Sequence, residues 1–160
     1  MEHTLTWAGW KWYEELKRGR SDSNLAFMAM DFKHADVARA FAAFKEAVRQ
    51  TGFNLRKLDD RPEAGLIDNR LRVELRRSRF VIADLTGGNS GAYWESGFGE
   101  GLGRPVIYTC EKGSFETQKT HFDTNHLQTV KWDTESLAPA CDELKATIRN
   151  SLPGEAKMDD

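Results

Sequence analysis

The stretch Phe80 to Tyr108, FVIADLTGGNSGAYWESGFGEGLGRPVIY, constrains the fold more than any other part of this chain. It begins with a near-continuous apolar run that ends in an aspartate and passes through a glycine loop into a short helical pattern. It closes on a second apolar run. Strands covered on both faces read this way, as unbroken apolar segments rather than alternating ones. Strand, helix and strand in succession form a parallel crossover, and in an open sheet of such units ligands bind beyond the carboxyl ends of the strands. Asp84 stands where the first of these strands runs out, and Glu95 lies in the helix that follows.

The rest of the chain repeats the alternation. Leu25 to Met30 (LAFMAM) predicts a first central strand, and Val37, Phe41, Phe44 and Val48 recur at helical spacing. Gly52 ends that helix, and Phe53 to Leu58 predicts an edge strand. Asp59 to Gly65 is a polar loop, after which Ile67, Leu71 and Leu75 mark a second helix. Glu111 to Asn125 is polar and aperiodic, which predicts a long loop. Leu127 to Trp132 is a last strand, and Leu137, Cys141, Leu144 and Ile148 mark a closing helix. The pattern predicts a flavodoxin-like, three-layer α/β sandwich around a five-stranded parallel sheet of order 2-1-3-4-5. The order rests on the handedness of crossovers, since no residue encodes it.

With 160 residues the chain is one domain long. The expected division is an N-terminal helix and linker over 1–23, the α/β domain over 24–152 and a flexible tail over 153–160. A net charge of −2 argues against nucleic acid as the main partner. No apolar run is long enough to span a bilayer, so a cytoplasmic protein is expected. The two cysteines, Cys110 and Cys141, have neither CxxC nor finger spacing and read as buried free thiols. No metal is expected: the spacing of His121, Asp123 and His126 matches no ligand motif. GFGEGLG lies inside a helical pattern rather than after a strand, so it is not a dinucleotide fingerprint. The arginines Arg70, Arg72, Arg76, Arg77 and Arg79 read as a solvated helix face.

LAFMAMDF, then IDNRLRVELRRSRFVIADLTGGNSGAYWESGFGEGLGRPVI, then HFDTNHLQTVKW together resemble the nucleoside 2-deoxyribosyltransferase-like family, which is related to bacterial TIR-like domains. The resemblance spans about Asn24 to Ile148, and ADLTG followed by YWESGFGEGLGRPVI is its most specific element. It implies a flavodoxin-like sheet, a homodimer and cleavage of N-glycosidic bonds by a glutamate in the place of Glu95. The segment LTWAGWKWYEELKRG resembles the end of a winged-helix module, so the chain is expected to be one domain of a longer protein.

Glycosidic cleavage builds positive charge on the anomeric carbon, which a nearby carboxylate attacks or stabilises. Glu95 is the expected catalytic group, against the alternative of a helix N-terminal acid favoured by the dipole. Its helix carries Gly97, Gly99 and Gly101, which would permit close backbone approach. Asp84 is the second catalytic candidate, as proton donor or sugar ligand, or else it caps the following turn. Asp68 is a weaker substrate-binding candidate, with helix N-capping as its other role. Thr86, Gly87, Gly88, Asn89 and Ser90 lead into a helix N-terminus and would suit a 5′-phosphate. Asn89 stands where the resemblance implies a sugar-binding polar group, and aspartate in some members leaves strict deoxyribosyl transfer in doubt. Met30, Asp31 and Phe32 follow the first strand and should border the same crevice, with Phe32 covering a base or belonging to the core. Tyr93 and Trp94 read as packing or dimer-contact residues.

The expected function is N-glycosidic cleavage, by hydrolysis or transfer, of a nucleoside or nucleotide. The alternatives are TIR-like hydrolysis of NAD with nicotinamide release, and a nucleotide-binding signalling module without turnover. No cofactor is expected; NAD enters as a candidate substrate.

Overall fold

Five parallel strands hydrogen-bond in the order β2-β1-β3-β4-β5. The structure is a computed structural model, and it describes residues 6–10, 13, 23–58, 67–118 and 127–160. The strands are β1 (Leu25–Ala29), β2 (Asn54–Arg56), β3 (Phe80–Asp84), β4 (Val106–Glu111) and β5 (Thr129–Trp132). The helices are α1 (Ala35–Gln50), α2 (Ile67–Arg77), α3 (Ser90–Gly101), α4 (Lys112–Gln118) and α5 (Ala138–Ser151). The flavodoxin-like α/β fold and the strand order are those expected.

Period-2 alternation along the strands divides the core in two. Phe80 and Ile82 of β3 join Ala26 and Met28 of β1 against Val37, Phe44 and Val48 of α1 and Leu144 and Ile148 of α5. Val81 and Ala83 join Phe27 and Ala29 against Leu71 and Leu75 of α2 and Ala92 of α3. All five β3 residues are buried, which is why that strand reads as a continuous apolar run. Cys110 is buried, Cys141 is partly buried, and both are free thiols.

Two expectations for polar segments are corrected. Within the expected loop Glu111 to Asn125, β4 continues through Glu111 and α4 follows at once. The Glu111 carboxylate caps that helix, accepting the N–H groups of Gly113 and Ser114 at 2.7 and 2.6 Å. A short helix held by its cap shows no long apolar period, so periodicity misses it. The tail expected to be flexible docks instead. Ala156 is buried and the Lys157 N–H bonds the Thr51 carbonyl at 2.9 Å. Glu155 pairs with Arg79 at 2.6 Å, and Asp160 accepts from Lys145 and Arg149 at 2.6 and 2.7 Å. Its polar composition reads as disorder only while the basic partners on α5 and ahead of β3 are out of view.

Residues 7–10 and 13 are helical, and the rest of the expected N-terminal helix and linker up to residue 22 lies, apart from residue 6, outside the described residues. The loop Asp59 to Gly65 and the trio His121, Asp123 and His126 lie outside the described residues. Among the described residues no helix is long and apolar enough to cross a membrane, and no group of His, Cys, Asp or Glu is arranged to hold a metal ion.

The α3 glycines are not equivalent. A Cβ on Gly99 would stand 3.0 Å from Cγ2 of Val81 and 3.5 Å from Cγ2 of Val106, whereas one on Gly97 would meet nothing within 4 Å. Only Gly99 lets helix and sheet approach closely. Gly99→Ala is expected to cost about 1–3 kcal/mol by overpacking, while Gly97→Ala should gain roughly 0.5–1 kcal/mol of helix propensity. Urea denaturation of the two variants checks the contrast.

Candidate functional site

The chain leaves β1 toward one edge of the sheet and β3 toward the other, so the connections after these neighbouring strands diverge. A crevice opens between them, as expected at a topological switch point. It holds a cavity of about 470 Å³ lined by Met30, Asp31, Phe32 and Lys33 after β1 and by Asn89 and Glu95 from the start of α3.

The β1–α1 wall is shaped by Asp31, whose Oδ1 accepts the backbone N–H of Lys33 at 2.9 Å. This Asx turn carries the chain from the strand into α1. Met30 is buried, and the partly buried Phe32 ring packs against the α1 side of the core while lining the cavity. Phe32 therefore belongs to the core and borders the cavity. Lys33 was not anticipated: a lone lysine in a polar loop carries no signal until the loop is seen to face the crevice.

The α3 wall begins at the turn Thr86–Gly88. Gly87 and Gly88 have φ of 73° and 68°, left-handed values that side chains other than glycine adopt at a cost. Asn89 caps the helix, its Oδ1 accepting the Gly91 N–H at 3.0 Å. A turn later the Glu95 carboxyl folds back over this end of α3, with Oε1 3.8 Å from where a Cβ on Gly91 would stand. Among the described residues no hydrogen bond or ion pair engages that carboxyl. Burial alone pushes it up to about 7.

Asp84 is placed differently. It shares the parity of Phe80 and Ile82, so its side chain enters the α1/α5 half of the core, while α3 covers the other face. Asp84 is buried and outside the cavity lining. Its Oδ1 accepts the Thr86 N–H at 3.1 Å; its Oδ2 accepts the Thr109 hydroxyl at 2.7 Å and the Trp132 indole N–H at 2.8 Å. Burial raises its pKa against the pull of these bonds. The carboxylate ties β3 to β4 and β5, and of the two roles open to it the capping one is what the geometry carries.

Thr86 is buried and its hydroxyl accepts the Glu111 N–H at 2.9 Å; the Gly87 N–H donates to Ser114 at 2.9 Å. Thr86, Gly87, Gly88 and the exposed Ser90 thus precede the site without lining it, and only Asn89 of that group does. Asp68 lies in the first turn of α2, and its side chain is outside the described residues. Trp94 is 47% exposed and stacks on Phe98 at 5.4 Å, with Arg72 and Arg76 over the two rings at 5.7 and 5.5 Å. These arginines face rings rather than water alone. Burial lifts the Cys110 thiol to about 11, which keeps it protonated at neutral pH.

The chain is a flavodoxin-like α/β domain whose switch-point cavity presents the half-buried Glu95 carboxyl, unpaired among the described residues. No protein-family model and no curated protein matches it. Among solved structures, the rubredoxin oxygen:oxidoreductase (ROO) of the anaerobe Desulfovibrio gigas is similar, with a TM-score of 0.48 and 12% identity. That likeness covers 91% of this chain and 40% of the other, so this chain spans less than half of that protein.

Two substitutions separate the carboxyls. Asp84→Asn turns an amide NH2 toward a donor that the carboxylate satisfied, and is expected to cost about 1–3 kcal/mol in chemical denaturation. Glu95→Gln should have the opposite sign. A folded-state pKa of about 7 against the ordinary 4.5 makes the folded protein hold a proton that the unfolded chain releases. Stability therefore falls as pH rises from about 4.5 to 7 and stays low above it. Glu95→Gln should be more stable than the parent by about 1–3 kcal/mol at pH 8. The gain should vanish below pH 4.5, which thermal unfolding at both pH values checks.

Proposed function

We propose that this domain cleaves the N-glycosidic bond of a nucleoside or nucleotide, with Glu95 as the catalytic carboxylate. One observation carries the reading: a half-buried carboxyl, unpaired among the described residues, shares the switch-point cavity with the apolar side chains of Met30 and Phe32. A buried carboxylate without a partner cation is costly to the resting protein. A ligand that develops positive charge beside it would relieve that cost most in the transition state.

In the proposed step the bond from the anomeric carbon to the base nitrogen breaks and its electron pair leaves with the base. The Glu95 carboxylate stabilises the resulting cationic carbon or forms an ester with it. Water then supplies the hydroxyl and releases the sugar, and its second proton goes to the departing base, or to solvent where the base leaves neutral from a cationic ring. Phe32 and Met30 offer an apolar surface for the base, Asn89 a polar group for the sugar, and Asp31 a carboxylate for sugar hydroxyls.

The placement of Asp84 favours one substrate class. A neutral base leaves best when an acid protonates it, and Asp84 is withdrawn from the cavity with both oxygens already bonded. Nicotinamide leaves a cationic ring as a neutral molecule and needs no donor. NAD hydrolysis in the TIR-like manner is accordingly the second reading.

The test is release of free base or nicotinamide, followed by mass spectrometry across nucleosides, nucleotides, deoxynucleotides and NAD. Glu95→Gln should lower turnover by at least about 10²-fold. Since the ionised carboxylate is the active form, kcat/KM should climb with pH through about 7 and level off above it. A profile falling through that range would assign Glu95 as an acid instead. Ligand binding without turnover on any of these compounds would leave a nucleotide-binding module.

A further inference from the structure

The Thr86 to Ser90 loop is poorly furnished for the phosphate that its sequence suggests. The N–H groups of Thr86, Gly87, Gly88 and Gly91 are committed to Asp84 Oδ1, Ser114 Oγ, the Leu85 carbonyl and Asn89 Oδ1. Glu95 Oε1 also lies over this end of α3, 3.8 Å from the Cβ position of Gly91. An anion brought there would meet a carboxylate and few free donors.

Cations stand on the other wall. Lys33 lines the cavity, and Lys57, just beyond β2, holds its Nζ 5.4 Å from the centre of the Phe32 ring that lines it too. β2 pairs with β1 on the side away from β3, so both lysines belong to the β1–β2 side of the crevice, whereas Glu95 comes from the β3 side. Among the described residues neither lysine pairs with a carboxylate. The Asp31 carboxylate lines the cavity too, its Oδ1 accepting the Lys33 backbone N–H, and among the described residues no ion pair joins it to the Lys33 ammonium. The cavity thus runs from the Glu95 carboxyl, past Met30, Asp31 and Phe32, to the Lys33 ammonium, and neither end is paired among the described residues.

We propose that the cavity takes a phosphorylated nucleoside, its phosphoryl oxygens on Lys33 with support from Lys57 and its glycosidic carbon at Glu95. The proposal rests on the glycosidic reading above and adds the substrate class to it. An ammonium on a flexible stem suits a phosphate as a point charge, and charge-assisted hydrogen bonds are the stronger kind. The phosphoryl group can belong to a 5′-monophosphate or to the pyrophosphate of a dinucleotide.

The experiment is calorimetric titration of the Glu95→Gln protein, so that no ligand is consumed, with and without Lys33→Met. The probes are the common nucleosides with their 5′-monophosphates, and nicotinamide riboside with NAD. At least one phosphorylated probe should bind about tenfold or more tighter than its parent. Lys33→Met should remove most of that advantage while leaving the affinity of the parent nucleoside in place, and added salt should erode it in the Lys33 protein. Preference for a monophosphate or for NAD tells the two phosphoryl sources apart. Equal affinities within each pair, or an advantage indifferent to Lys33→Met, overturn the phosphate assignment and leave the glycosidic reading standing. Failure of every probe to bind overturns both.

Discussion

The handedness of parallel crossovers, acting on a strand order that reverses between β1 and β3, is the constraint on which the rest of this molecule depends. A right-handed path from β1 to β2 puts α1 on one face of the sheet. The paths that advance toward β5 put α2, α3 and α4 on the other. The peptide segments after β1 and β3 then part company, and the gap between them cannot be filled by either helix. Everything argued about function takes place in that gap, with one wall from the β1–α1 loop and the other from the start of α3.

The two acids near it show how environment separates identical chemistry. Burial raises the pKa of both. Asp84 is nearly inaccessible, yet three donors from Thr86, Thr109 and Trp132 surround it, and the carboxylate becomes a tie between neighbouring strands. Glu95 is less buried and has no such donors among the described residues. A satisfied buried acid stabilises a fold, and an unsatisfied one stores free energy that a suitable ligand releases.

Much of this was legible in the residues. The apolar runs of β1, β3 and β4 announce strands covered on both faces, and the spacing of Val37, Phe41, Phe44 and Val48 announces α1. The glycine loop ahead of α3 announces a tight turn, which Gly87 and Gly88 supply with positive φ. Three features were not legible, the first and third because they depend on partners distant in sequence. The tail reads as disordered until Arg79, Lys145 and Arg149 are seen to hold Glu155 and Asp160. The helix α4 reads as loop because its apolar contribution is small and its cap is its own preceding glutamate. The pairing of Asp84 with Glu95 as two site acids fails on parity, since Asp84 points with Phe80 and Ile82 to the face that α3 does not cover.

By itself the sequence determined the class of fold and the positions of the sheet's central strands, because these rest on local periodicity, and it offered Glu95 as a candidate through its spacing within one crossover and a family resemblance. Only the tertiary structure decided which acid faces the cavity, that Lys33 shares it, and that the Thr86 to Ser90 loop has already committed several of its donors. The physical reason is that solvation and hydrogen-bond satisfaction belong to neighbours in space. Asp84 and Trp132 are 48 residues apart along the chain and 2.8 Å apart in the fold.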